Sequence, residues 1–100
     1  MANVKLPLPD IAPGRSAIVE VEGQRLVVCR SQKGVYVVRD NCPHQNLTLE
    51  GGRVRGESII CPHHGARFSL EDGRSMSPLT TKPLDLLPCR EEGDSLEIEL

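Results

Sequence analysis

The chain has few aromatic side chains and no long apolar segment. Its 100 residues include no Trp, one Tyr and one Phe, so Val, Leu and Ile must supply most of the core. No stretch approaches the roughly 20 apolar residues that a membrane-spanning helix needs. The N-terminal MANVKLPLPD lacks a basic segment followed by an apolar one, so we expect a cytoplasmic protein with no export signal. The length predicts one domain, residues 1–100, with a modest core.

Basic clusters and spare histidines are also absent. The formal net charge is −2, which argues against a nucleic-acid or anionic-membrane surface, because such surfaces need clustered Lys and Arg. The three histidines lie within one motif, so none remains for a Ser-His pair elsewhere. We therefore expect a protein partner and no catalytic residues.

Four cysteines could form two disulfides in a secreted protein, but two of them stand beside histidines and are better explained as ligands. Cys29 ends the apolar run Leu26-Val27-Val28, and Cys89 follows Leu86-Leu87-Pro88. We expect both to be buried, reduced core residues.

The remaining cysteines belong to two short segments that each pair a thiolate with an imidazole. These segments are Cys42-Pro43-His44 and Cys61-Pro62-His63-His64-Gly65, with sixteen residues between them. Two sulfur and two nitrogen ligands from separate loops suit a mixed-ligand iron–sulfur cluster. A structural zinc site is the alternative, although zinc fingers usually group the two cysteines together and the two histidines together.

The pattern C-x-H followed by C-x-x-H resembles the Rieske family. The resemblance implies a [2Fe–2S] cluster with Cys42 and Cys61 on one iron and His44 and His64 on the other. It also implies that His63 is not a ligand and faces solvent or a partner. With every iron position filled, we expect one-electron transfer and no enzymatic activity.

Short β-branched runs separated by Gly, Pro, Asn and Asp predict an all-β chain. The resemblance implies a Rieske-like antiparallel β-sandwich with an inserted cluster-binding subdomain at about residues 42–78. We expect seven strands, at Ala17–Val21, Arg25–Arg30, Val35–Arg39, Ser58–Ile60, Ala66–Ser69, Leu84–Pro88 and Ser95–Leu100.

The resemblance also bears on the reduction potential. High-potential respiratory Rieske proteins have a disulfide between the ligand loops, and they have hydroxyl donors where this chain has Ala66 and Phe68. Here His63 occupies the place of the disulfide cysteine in the second loop. Donors to sulfur stabilise the added electron, so we expect a potential at the low end of the Rieske range, roughly −150 mV or somewhat above. Pro78 resembles the family's proline loop over the cluster.

Among Rieske proteins, the chain looks most like the ferredoxins of bacterial ring-hydroxylating dioxygenases, which serve aromatic hydrocarbon catabolism. This implies transient partners: an NAD(P)H-dependent flavoprotein reductase and a terminal oxygenase. The alternative is a fixed subunit resembling the small subunit of assimilatory nitrite reductase. The expected docking patch consists of Gln45, Asn46, Leu47, His63 and Leu79.

Overall fold

The computed structural model describes residues 3–43, 47–63 and 65–100, and ten strands form within them. They are β1 (Asn3–Pro7), β2 (Arg15–Val21), β3 (Gln24–Arg30), β4 (Val35–Arg39), β5 (Arg53–Arg55), β6 (Ser58–Ile60), β7 (Arg67–Ser69), β8 (Leu86–Leu87), β9 (Cys89–Glu92) and β10 (Ser95–Glu99). None of the described residues belongs to a helix that could cross a membrane.

The strands make three antiparallel sheets, which confirms the predicted all-β antiparallel class. Their orders are β1–β10–β9, β2–β3–β4–β8 and β5–β6–β7. The third sheet comes from the sequence between the two Cys-Pro segments, followed by the residues just after the second. It is therefore positioned to present both segments.

The middle sheet is covered on both faces. In β3, Val27 and Cys29 pack into one buried cluster with Ile59 and Phe68 of the third sheet. The alternate side chains of β3 pack into a second buried cluster with Leu96 and Ile98 of the first sheet. A strand buried on both faces is apolar throughout, which explains the continuous run from Leu26 to Cys29.

Three strands were missed in the prediction, and each is polar or interrupted by proline. β1 lies at the edge of its sheet and ends at Pro7. Proline is tolerated in an edge strand because one side of the strand has no neighbour that needs its backbone N–H. β5 contains two exposed arginines around buried Val54, and β9 is largely charged. The prediction for Leu84–Pro88 was too long, since only Leu86–Leu87 pairs with β4 before Pro88, which lacks a backbone donor.

A hydrogen-bond network of three side chains joins the middle sheet to the third sheet. The Tyr36 hydroxyl on β4 and the Ser31 hydroxyl both donate to Oε1 of Glu57, each at 2.7 Å. Glu57 lies in the turn between β5 and β6, and the two hydroxyls, Tyr36 first, lower its carboxyl pKa. The same bond from Tyr36 raises its phenol pKa to about 12, with burial adding to the shift.

We predict that the single tyrosine titrates near pH 12 in the folded protein and that Glu57→Gln returns it towards 10. Because the folded pKa exceeds the unfolded value, the bond stabilises fully below about pH 10, and this stabilisation disappears as pH rises through about 12. NMR of ring-labelled tyrosine measures the titration. An unshifted wild-type value would contradict the contact.

Candidate metal centre

The first Cys-Pro segment lies in a loop closed by a backbone hydrogen bond. The Cys42 N–H donates to the Leu47 carbonyl at 2.8 Å, and the two residues form an isolated antiparallel bridge. The intervening positions include Pro43, whose fixed φ stiffens the turn. His44, the predicted ligand of this loop, lies outside the described residues.

The second segment is closed in the same way. The Cys61 N–H donates to the Ala66 carbonyl at 2.8 Å, again five residues further on, and the Gly65 N–H donates back to the Cys61 carbonyl at 3.0 Å. Gly65 has φ of +75°, a left-handed conformation that glycine adopts without steric cost. His64, the predicted ligand here, also lies outside the described residues.

Both cysteines that are predicted to be ligands are buried in one core. Cys42 and Cys61 are each 1% exposed and belong to the same buried cluster as Ala66 and Phe68. None of the chain's four cysteines, all within the described ranges, forms a disulfide. Two thiols brought into one apolar core from matched loops fit the sulfur half of a mixed Cys/His cluster.

The far end of the first loop is anchored by Asp40, a residue that the sequence interpretation missed. Its carboxylate accepts bonds from the Thr48 hydroxyl (2.8 Å), the Leu49 N–H (2.6 Å) and Arg25 Nε (2.9 Å). The Asp40 side chain is only 2% exposed. Burial opposes ionisation, but the bonds from Leu49, Arg25 and Thr48 outweigh it and hold the carboxyl pKa below its usual value.

We expect Asp40→Asn to loosen the first loop, because it weakens charge-assisted bonds to a buried carboxylate that are worth about 1.5–3 kcal/mol. The measurements are hydrogen exchange at Leu49 and the rate of iron release to a chelator. The matched control is Asp85→Asn, since Asp85 is 65% exposed in its pair with Arg39. Equal effects of the two variants would contradict a specific role for Asp40.

The residues expected around the centre are only partly described. His63 is exposed, as predicted, and Leu47 and Leu79 are exposed at 37% and 44%. Pro78 is also exposed. Gln45 and Asn46, the other members of the expected docking patch, lie outside the described residues.

The two other cysteines differ from each other in burial. Cys29 is fully buried as predicted, and burial raises its thiol pKa to about 12, with Cys89 adding to the shift. Cys89, expected to be buried, is only half-buried; it packs against the second core cluster, with its sulfur 3.5 Å from the Val35 carbonyl oxygen. Burial also raises the pKa of Cys89.

The fold and the paired thiol loops define a small all-β protein with two buried thiols from matched loops. A family model described as the Rieske [2Fe-2S] domain matches residues 4–88, and the chain belongs to this family. Members of the family bind a [2Fe–2S] cluster, so membership favours an iron–sulfur centre over structural zinc.

Known proteins show the same resemblance along almost the whole chain. The 3-phenylpropionate/cinnamic acid dioxygenase ferredoxin subunit of Shigella flexneri serotype 5b (strain 8401) is 32% identical over 94% of this chain and 89% of its own. The ferredoxin–oxygenase complex of carbazole 1,9a-dioxygenase contains a chain that is 28% identical with TM-score 0.84, over 96% of this chain and 100% of that one.

A nitrite reductase small subunit also shares the fold. This protein, described as a putative NADPH nitrite reductase small subunit, is 23% identical with TM-score 0.79, over all of both chains. At this identity the likeness concerns the fold alone.

Proposed function

We propose that Cys42, His44, Cys61 and His64 hold a [2Fe–2S] cluster and that residues 42–78 form the cluster-binding subdomain of a single domain. The observation that carries the proposal is the burial of both thiols in one core from loops closed alike. When bound, such a cluster accepts and releases one electron. In sequence order, His44 falls between Cys42 and Leu47, and His64 falls between Cys61 and Ala66, so each predicted histidine comes between the two residues whose backbone bond closes its loop.

The protein then serves as a ferredoxin rather than an enzyme. It passes single electrons from an NAD(P)H-dependent flavoprotein reductase to a terminal oxygenase that hydroxylates aromatic rings. Support comes from the ferredoxin components of dioxygenase systems that resemble the chain over nearly its full length, and from the carbazole ferredoxin bound to its oxygenase. A partner that uses NAD(P)H is consistent with residence in the cytoplasm.

A fixed subunit of a nitrite reductase is the second candidate, favoured only by the shared fold of the nitrite reductase small subunit. Purification of a tagged protein from its native host separates the two. A transiently docking carrier is expected to be isolated alone, because brief electron-transfer contacts bury little surface. An obligate subunit would copurify with a catalytic chain in stoichiometric amount.

The ligand set predicts opposite results for two adjacent histidines. His64→Ala should lose the cluster, whereas His63→Ala should keep it, because His63 is exposed and does not match the ligand spacing. Iron and sulfide content and the EPR spectrum of the reduced protein measure retention. The reverse result would reassign the ligand, and zinc in place of iron and sulfide in the wild type would refute the function.

Phe68 bears on the reduction potential, because its ring is fully buried in the core that contains both ligand cysteines. The Phe68 side chain has no hydrogen-bond donor, and the side chain of Ala66, which is also buried, has none either. Without hydroxyl donors to sulfur, we expect a wild-type potential of roughly −150 mV or somewhat above.

We predict that Phe68→Tyr raises this potential, since the new hydroxyl must find an acceptor in the shared core. Protein-film voltammetry measures the shift, and Phe68→Leu is the control for altered packing without a donor. A wild-type potential several hundred millivolts more positive, or equal shifts in the two variants, would contradict the role assigned to missing donors.

A further inference from the structure

The outer face of the third sheet carries arginines, and none of the residues in its two paired rows is acidic. Residues paired across adjacent strands share a face, and Arg53 pairs with Ile60, which pairs with Arg67. Arg55 pairs with Ser58, and Ser58 pairs with Ser69. Side chains two apart in a strand also share a face, so both rows lie on the same side of the sheet.

The segment after β7 extends both rows by one residue. The Met76 N–H donates to the Arg67 carbonyl (2.7 Å), and the Ser69 N–H donates to the Arg74 carbonyl (2.9 Å), on either side of the Phe68–Ser75 bridge. Arg67 is therefore opposite Met76, and Ser69 is opposite Arg74. We call the resulting surface the arginine face; it consists of Arg53, Arg55, Ile60, Arg67, Arg74 and Met76.

Two of these guanidinium groups are available to a partner. Arg53 and Arg55 are exposed, and neither side chain has a hydrogen bond or ion pair within the described part of the chain. Arg25, Arg39 and Arg90, by contrast, are paired with carboxylates. On the arginine face, Arg74 is paired with Asp72, and Arg67 donates to the Ser58 hydroxyl.

The arginine face also adjoins the metal centre. Arg53, Arg55 and Ile60 line one shallow groove together with Cys61, Pro62 and Gly65 of the second ligand loop. Met76 is 46% exposed, and Ile60 is partly exposed between Arg53 and Arg67. Apolar side chains surrounded by charge, with an adaptable methionine, are typical of small protein-docking surfaces.

Residues 51–78, which include the arginine face and the second ligand loop, have a net charge opposite in sign to that of the rest of the protein. Residues 51–78 contain four basic and three acidic side chains, whereas the remainder contains eight basic and eleven acidic ones, with both counts excluding histidine. An acidic partner is therefore repelled by most of the molecule and attracted to the arginine face. Such asymmetry orients an encounter and increases its rate.

We propose that the arginine face is a docking surface for an acidic region of a redox protein that exchanges electrons through the second ligand loop. The inference rests on the proposed function, because it requires a cluster at that loop. On this proposal, Arg53 and Arg55 supply most of the attraction for the partner. The arginine face is a different surface from the exposed patch of Leu47, His63 and Leu79.

The test measures how fast the reduced holoprotein is oxidised by hexacyanoferrate(III), which takes up one electron to become hexacyanoferrate(II). In anaerobic stopped flow at low ionic strength, Arg53→Gln/Arg55→Gln should slow this reaction about three- to tenfold. The difference should shrink as added salt shortens the Debye length. Oxidation by the cationic hexaamminecobalt(III) should not slow.

Two variants control for net charge and for local structure. Lys5→Gln/Arg90→Gln removes the same charge from exposed positions on β1 and β9 and should leave the hexacyanoferrate rate nearly unchanged. Arg53→Lys/Arg55→Lys keeps the charge and should retain most of the wild-type rate. If the double Gln variant does not fold, Arg55→Gln alone serves, with a smaller expected effect in the same direction.

A polypeptide probe tests the nature of the partner. Poly-L-glutamate should slow hexacyanoferrate oxidation of the wild type by covering the arginine face and should have little effect on Arg53→Gln/Arg55→Gln. Inhibition by inorganic phosphate at equal charge concentration would indicate a small-anion site and overturn the protein-docking proposal.

The remaining outcomes separate this inference from the proposed function. Equal slowing in the Arg53/Arg55 and Lys5/Arg90 variants, or none in either, would overturn the docking proposal. Arg53 and Arg55 would then serve only to keep the edge strand β5 from pairing with another chain. Absence of a cluster EPR signal, or of electron transfer to either oxidant in the wild type, would refute the proposed function itself.

Discussion

In the proposed centre, two thiols reach one cluster from loops separated along the chain, and the third sheet brings these loops together. β5 and β6 lie between the ligand segments, and β7 follows the second one, so the sheet holds both loops at fixed positions. Its inward side chains, among them Ile59 and Phe68, share the buried core with Cys42 and Cys61. The burial of the cysteines and the packing of the third sheet are thus the same interaction.

The rigidity of that sheet depends on the middle one. Alternate side chains of β3 face the third and first sheets, so the middle sheet supports both. Glu57 adds a polar connection through Tyr36 and Ser31, and Asp40 fixes the return of the first loop. A site positioned by packed strands and satisfied hydrogen bonds keeps its geometry better than one on unsupported loops.

Prediction from the sequence succeeded where a pattern reflects burial directly. The alternation of Leu96 and Ile98 marked β10, because side chains on one face of a strand recur every two residues. The continuous apolar run marked β3, because a strand covered on both faces is apolar at successive positions. It failed for β5, where Arg53 and Arg55 surround one buried valine, since three residues are too few to show a period. It failed also for Asp40, because Thr48, Leu49 and Arg25 become its partners only after the chain has folded.

The sequence by itself determined the chemistry of this protein. The Cys-Pro-His and Cys-Pro-His-His segments supply the thiols and imidazoles of the proposed centre, and Ala66 and Phe68 supply no side-chain hydrogen-bond donor, because these are properties of the residues themselves. Tertiary structure decided which residues act together. The common burial of Cys42 and Cys61, and the alignment of Arg53 and Arg55 on one face beside the second loop, arise from strand register and packing, and these depend on contacts between residues distant in the chain.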